Sequence, residues 1–361
     1  MGLIAVDVRM LSASGIGTYL SNMVPSVIAA LVQHDFILIG DKQAIQCHSW
    51  ANKNNIQIID NQAPIYSVSE QFNWLTNHRM RADLFWSPHY NIPLSCSGKL
   101  LVTVHDVFHL AMPQFVGGIH KRLYVKAMFS MVRNKADRII CDSGFTADEL
   151  IRLTGTDPRK ITVIPLGVRR RWFTLQREAS PHDRPYLLYV GNVKPHKNLT
   201  RLLSAFESLL QTIPHDLVIV GKKEGFITGD STIAAQAVKL GKRIKFTGFI
   251  DDRRLEQYYA HAEALLMPSL YEGFGLPPLE AMACGCPVMV SNTASLPEVC
   301  ADAAIYCDPY RVEDIAAKIQ QIVSDEQLRS ELRARGTERA KQFRWDETVR
   351  QTCAIIEVML E

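Results

Sequence analysis

Short apolar runs rich in β-branched residues alternate with helix-period segments along nearly the whole chain, and this alternation restricts the possible folds more than any other feature. It is the pattern of βαβ units, whose parallel strands are covered on both faces by helices. In the first half the strand candidates are LIAVDV (3–8), FILIG (36–40), IQIID (56–60), DLFWSP (83–88), LLVTVHD (100–106), RIICDS (138–143) and ITVIPLGV (161–168). The pattern breaks at RRRWFTLQREASPHDRP (169–185), which has five arginines, one histidine, two prolines and no apolar periodicity, and which reads as an interdomain linker. It restarts with YLLYVG (186–191) and runs through DLVIVG (216–221), IKFTGF (244–249), ALLMPS (264–269), VMVS (288–291) and AIYCD (304–308). The expectation is an α/β chain of two Rossmann-like, doubly wound domains, at 1–170 and 171–340. The stretch 341–361 has apolar residues at helical spacing but no domain of its own, and is expected to cross back as a helix onto the first domain.

Two domains also suit 361 residues, since single hydrophobic cores stop growing at roughly 250–300 residues. With 47% hydrophobic and 21% charged residues, the composition is that of a packed globular protein. No run approaches the roughly 20 apolar residues of a membrane span, and MGLIAVDV reads as a strand instead of a signal peptide. Eight scattered cysteines, several inside apolar runs, read as reduced core residues of a cytoplasmic protein. The C-x-C pair Cys284 and Cys286 has no matching cluster that would make it a metal site.

Charge is unevenly spread, with 17 lysines and arginines against 12 acidic residues in 1–170 and 23 against 25 thereafter. Part of the excess is GGIHKRLYVKAMFSMVRNK (117–135), which has five basic and no acidic residues among apolar ones. Such a stretch suits a peripheral contact with anionic lipid on the inner face of the cell membrane, and equally a helix packed on its own sheet with a solvated basic face. Nucleic acid is not an expected partner, because no recognised binding module accompanies the charge.

Doubly wound domains bind ligands outside the carboxyl ends of their strands, so a cleft between two of them is the expected site. The loop after ALLMPS opens EGFGLPPLEAMACGCPV (272–288). Proline fits a first helical turn, and Pro278 as the first helical residue would put Glu280 in that turn, with Gly285 and Pro287 ending the helix. A helix start of this kind receives phosphate, while Glu272 and Glu280 are able to accept hydrogen bonds from sugar hydroxyls. Taken singly, Glu280 is equally an ordinary complement to the helix dipole, and Glu272 a solvated loop charge.

Other strand ends carry further candidates. SASGIGTYL (12–20) lacks the third glycine of a dinucleotide fingerprint, Leu20 standing in its place, which counts against a nicotinamide enzyme. His105 and Asp106 end their strand and are expected to aim at the cleft, with His109 one helical turn on. VGNVKPHKNL (190–199) sets Lys194, His196 and Lys197 beside a glycine, as suits a diphosphate. There is no D-x-D in the chain, so the carboxylate pair that holds a divalent ion under a nucleotide diphosphate is missing, and neither a metal nor any other cofactor is expected.

Taken together, GIGTYL (15–20), VHDVFHL (104–110), DSGFTADEL (142–150), VIPLGV (163–168), GNVKPHKNL (191–199), FTGFIDD (246–252) and the E-x7-E stretch at 272–288 resemble the retaining GT-B glycosyltransferases of family 4, over nearly the whole chain. The resemblance implies a metal-independent transfer from a nucleotide-sugar to a polysaccharide or lipid-linked acceptor. By it, Glu280 would hold the ribose, Glu272 a donor-sugar hydroxyl, the amides of Phe274, Gly275 and Leu276 the sugar and diphosphate, and Lys197 the phosphate. Gly15 and Gly17 would be close-approach positions, His105 would contact the donor sugar, and the base would lie near Gly248 and Phe249. Asn192 stands where many members carry arginine, so Lys197 would need help from Lys194 or Lys222. Among donors UDP-glucose is weakly favoured over GDP-mannose. A sugar-nucleotide 2-epimerase or a non-catalytic nucleotide-binding scaffold would share the fold.

Overall fold

A computed structural model of the chain describes residues 1–65, 67, 70–71, 74, 81–96, 98–221 and 231–361. Lys222 lies outside the described residues. The chain forms two compact units, Met1–Gly167 with Trp345–Glu361, and Val168–Arg344.

The first unit contains β1 (Leu3–Asp7), β2 (Asp35–Gly40), β3 (Ile56–Asp60), β4 (Leu84–Ser87), β5 (Lys99–Val104), β6 (Arg138–Cys141) and β7 (Ile161–Val163). They form one sheet in the order β3-β2-β1-β4-β5-β6-β7, and every pairing is parallel. The central strands are buried on both faces, which is why their sequences are continuous apolar runs without alternation. The helix Ile16–Ala30 buries Tyr19, Leu20, Met23, Val24, Val27 and Ile28, a stripe at helical spacing. Beside it runs the helix Trp345–Leu360, with Trp345 against Tyr19 at 6.2 Å between ring centroids. Thr348 Oγ1 donates to the Pro165 carbonyl at 2.7 Å. The last helix therefore packs on the first unit, as its lone apolar stripe predicts.

The second unit contains β8 (Tyr186–Val190), β9 (Asp216–Val220), β10 (Ile244–Gly248), β11 (Ala264–Met267), β12 (Val288–Ser291) and β13 (Ile305–Cys307), ordered β10-β9-β8-β11-β12-β13 and again all parallel. Leu187, Tyr189, Leu217, Ile219 and Leu266 meet Leu202, Leu203 and Phe206 of one covering helix and Ile315, Ile319 and Ile322 of another in a single core. Strand order reverses between β8 and β11, so the residues following these two strands flank the switch point where such sheets take ligands.

The segment 169–185 is not a free linker, because it belongs to the second unit and packs along the helix Asp252–His261. Trp172 is buried and lies 5.5 Å from the Tyr259 ring. Gln257 bonds the main chain of both Gln176 and Glu178 at 3.0 Å, and Arg169 and Arg171 pair with Asp252 and Glu256. One tryptophan and side-chain-to-backbone bonds hold the segment, and neither produces an apolar period.

Candidate functional site

Three loops meet at the switch point of the second sheet. Asn198, in a left-handed conformation at φ 60°, ties two of them to its own by donating from Nδ2 to the carbonyls of Pro268 (2.8 Å) and Pro309 (2.7 Å). The Leu270 amide donates to the His196 carbonyl at 2.7 Å. This holds the loop after β8 against the loop after β11. Lys197 on the first then reaches Glu272 on the second, its Nζ lying 2.7 and 2.8 Å from the two carboxylate oxygens. Beneath them the Tyr189 hydroxyl is buried with no partner among the described residues. Burial, and then the Glu272 charge, push its ionisation well up. Asn192 sits at the end of β8 on the same loop as Lys197, partly exposed, while Lys194 is exposed.

The helix that follows begins at Leu276, not Pro278, and runs to Ala283. Both prolines fit inside it because the first helical N–H groups have no intrahelical acceptor in any case. The earlier start puts Glu280 in the second turn, so it is not a first-turn complement to the dipole. Gly275 makes the entry. Its φ of +104° suits glycine, and a Cβ there would lie 2.8 Å from Leu296 Cδ2. No side chain among the described residues caps the helix start, and Ser295 Oγ fixes the loop before it through the carbonyls of Glu272 (2.9 Å) and Phe274 (3.0 Å). Phe274 is itself buried, edge-on to Phe343 at 5.7 Å.

Glu280 accepts from the Tyr259 hydroxyl at 3.2 Å. Burial raises its carboxyl to about 7 and the nearby Asp252 adds to this, against the Tyr259 hydrogen bond and the charges of Arg169 and Arg171. Phe249, after the left-handed Gly248, is 77% exposed. The arrangement suits an anion: a cation paired with a carboxylate, beside a helix start that no described side chain caps.

In the first unit, His105 turns inward. Its Nδ1 is 2.6 Å from Asp142 Oδ2 and its Nε2 is 3.0 Å from the Pro88 carbonyl. Both ring nitrogens thus face acceptor oxygens, an arrangement that fits the doubly protonated ring. Burial opposes that charge, but Asp142 outweighs it and His105 titrates above its ordinary value. Neither nitrogen is directed outward as the strand-end position suggests. Asp106 accepts from the Phe108 amide at 2.9 Å, and His109 meets the Tyr90 hydroxyl at 2.8 Å. At Gly17 the close approach is made by the chain itself, since a Cβ there would lie 2.7 Å from the Leu11 carbonyl oxygen. Gly15 stands in open space with φ +66° at the start of its helix.

Two family models cover most of the chain: Glycosyltransferase Family 4 over residues 47–171 and Glycosyl transferases group 1 over 170–342. The O-antigen chain mannosyltransferase B of Escherichia coli is 32% identical over 285 residues, covering 74% of this chain and 72% of that protein. The chain belongs to the family 4 glycosyltransferases. A second relative of this glycosyltransferase is the GDP-mannose-dependent alpha-(1-6)-phosphatidylinositol dimannoside mannosyltransferase of Mycobacterium tuberculosis, 29% identical, with 72% of this chain and 68% of that one covered. Some relatives are longer, and the chain spans 27% of the length of one E. coli mannosyltransferase. In fold the glycosyltransferase matches WaaG, a glycosyltransferase involved in lipopolysaccharide biosynthesis, at a TM-score of 0.78 and 19% identity over 98% and 99% of the two chains. The GT-B architecture is thereby established.

Sequence reasoning missed four residues of this glycosyltransferase. Asn198, Ser295 and Tyr259 act on loops or carboxylates far along the chain, and nothing local marks them. Asp142 was findable: it follows β6, the neighbour of the strand that His105 follows.

Proposed function

We propose that this glycosyltransferase moves a mannosyl residue from GDP-mannose to a polysaccharide or lipid-linked saccharide, retaining the anomeric configuration and using no metal ion. The Lys197–Glu272 pair beside the uncapped start of the helix Leu276–Ala283 carries the reading. A donor diphosphate competes for Lys197, and the released Glu272 becomes an acceptor for a hydroxyl of the transferred sugar. The amides of Phe274, Gly275 and Leu276 receive the remaining phosphate oxygens, with Asn192 alongside. Glu280 takes the ribose, Phe249 flanks the base, and Gly15 and Gly17 shape the loop that opens the helix Ile16–Ala30. As the bond from the sugar's anomeric carbon to the diphosphate oxygen breaks, the acceptor oxygen bonds that carbon on the same face, and the leaving diphosphate takes the acceptor's proton. Lys197 meets the charge that develops. His105, whose protonation Asp142 favours, is proposed to steady the donor sugar by its charge. The sequence alone leans to UDP-glucose, but the mannosyltransferase relatives, one named for GDP-mannose, support mannose.

Among the described residues no helix is long and apolar enough to cross a membrane. Peripheral contact on the cytoplasmic face remains part of the proposal, supported by Ile119 and Leu123, which are 68% and 58% exposed one helical turn apart beside exposed Lys121, Arg122 and Lys126. The reaction is tested by incubating the protein with GDP-mannose or UDP-glucose and mannose-terminated acceptors, with and without EDTA. The expected outcome is an α-linked mannosyl product that survives EDTA. Loss with EDTA and rescue by Mg²⁺ or Mn²⁺ would refute the metal-free step, and a glucosylated product would refute the donor.

A further inference from the structure

We infer that Tyr259 is a positioning residue for nucleotide binding: its buried hydroxyl holds one oxygen of the Glu280 carboxylate and leaves the other to face the ribose hydroxyls. The inference rests on the reading of Glu280 as the ribose acceptor, and adds the group that orients it and favours its ionised form.

A hydroxyl inside a core needs a partner. Tyr259 is 0% exposed, and among the described residues its hydroxyl bonds only Glu280 Oε2, at 3.2 Å. The ring has no room to swing away. Trp172 packs on it at 5.5 Å between ring centroids and is itself buried, in the turn Arg170–Phe173. The pairs Arg169 with Asp252 and Arg171 with Glu256 tie the chain around that turn to the helix Asp252–His261, on which Tyr259 stands. The second carboxylate oxygen is in a different situation. Oε1 bonds no described residue, yet it is not among the buried side-chain atoms left without a partner, and Glu280 as a whole is only half-buried. Oε1 is therefore the oxygen that solvent reaches, and Oε2 the one the protein holds. A tyrosine and a glutamate that merely satisfied each other in the core would leave neither oxygen open.

Charge gives the hydroxyl a second effect. Burial raises the Glu280 carboxyl to about 7, and the Tyr259 hydrogen bond is the foremost influence drawing it back, because a donor favours the ionised form of its acceptor. A ribose hydroxyl donating to that ionised oxygen makes a charge-assisted bond, roughly twice as strong as a neutral one. Tyr259 stays a donor throughout, since burial and then the Glu280 charge keep its hydroxyl protonated well beyond the ordinary range. Of the other groups facing Glu280, Asp252 raises the carboxyl, Arg169 and Arg171 lower it, and burial holds the Cys284 thiol neutral.

Calorimetric titration of the full chain with GDP and with 2′,3′-dideoxy-GDP tests this, with UDP and its dideoxy analogue in parallel. Each analogue keeps the phosphates and lacks only the ribose hydroxyls. Wild type is expected to bind GDP more tightly than the analogue. In Tyr259→Phe, which keeps the ring and removes the donor, that preference is expected to shrink about five-fold, the size of one hydrogen bond, with affinity for the analogue unchanged. The preference grows as Glu280 ionises, so its midpoint in pH is expected to rise in Tyr259→Phe; phosphate titration cancels in the ratio. Placing 3-fluorotyrosine at position 259 strengthens the donor and is expected to lower the midpoint, so the result does not hang on one variant, and melting curves report that each is folded. Equal loss of affinity for GDP and the analogue, or a preference and pH midpoint that neither change moves, would overturn the positioning role alone. A wild type that binds nucleotide and analogue equally would overturn the ribose reading and this inference with it, so the two failures are told apart.

Discussion

The side chains of Lys197 and Glu272 keep only 20% and 10% of their surface exposed. Taking one partner from a buried pair strands the other without solvent or counter-charge. Lys197→Ala is therefore expected to be less stable than the double variant Lys197→Met with Glu272→Gln. A double-mutant cycle in urea should give a coupling of about 0.5–3 kcal/mol, whereas strictly additive losses would mean that the pair does not form in solution. In turnover, Lys197→Ala should slow transfer by roughly two to three orders of magnitude, while free GDP affinity falls less because the added leaving-group charge exists only as the bond breaks. Glu280 answers to pH. Its carboxyl is raised from 4.5 to about 7, chiefly by burial, so the folded state holds its proton more tightly than the unfolded chain does. Stability is unaffected by this group below about pH 4.5, declines as pH rises toward 7 and is fully reduced above that. The melting temperature of wild type should thus fall relative to Glu280→Gln between pH 5 and 8; a constant difference across that range would show that Glu280 ionises normally. None of these partnerships was legible in the sequence, for Lys197 and Glu272 are 75 positions apart and meet only because β8 and β11 are neighbours.

For secondary-structure elements the sequence was far more informative, because each strand buried on both faces must be a continuous apolar run, and all the runs quoted above became strands. What it hid was irregular backbone. The helix start at Leu276 depends on Gly275 in a conformation that a tally of prolines does not reveal. Gly275→Ala is expected to destabilise the second unit by about 1–3 kcal/mol through backbone strain, and adding Leu296→Ala should recover only the part due to the clash with Leu296. Full recovery would show the backbone conformation to be unstrained. The helix Ile119–Lys135 shows the same limit. Its charge pattern fitted both a packed helix and a lipid-facing one, and it does pack, through Val125, Met128, Phe129 and Val132, while leaving Ile119 and Leu123 outside. Cosedimentation with vesicles containing anionic lipid should fall with added salt and with Lys121→Glu and Lys126→Glu, and Leu123→Ser should weaken it at any salt. Indifference to all three would exclude this helix as a lipid contact.

At the scale of the whole molecule, the first unit is discontinuous in sequence, its last helix arriving only after the second unit has been spelled out. The lone stripe at 341–361 announced this, whereas the partners of that helix, such as His34 with Glu357 at 3.3 Å, were invisible to it. A chain stopped after Arg344 should therefore lose stability in the first unit and keep GDP-dependent protection from proteolysis in Val168–Arg344; equal losses in both would contradict the division. The arrangement also sets an order of events during synthesis. A ribosome advancing at about 5–20 residues per second delivers every residue of the second unit before it delivers the helix that covers the helix Ile16–Ala30, so the part of the protein made first is the part finished last. Until then Tyr19 lacks its neighbour Trp345, and the newborn first unit carries an open apolar face that chaperones would recognise.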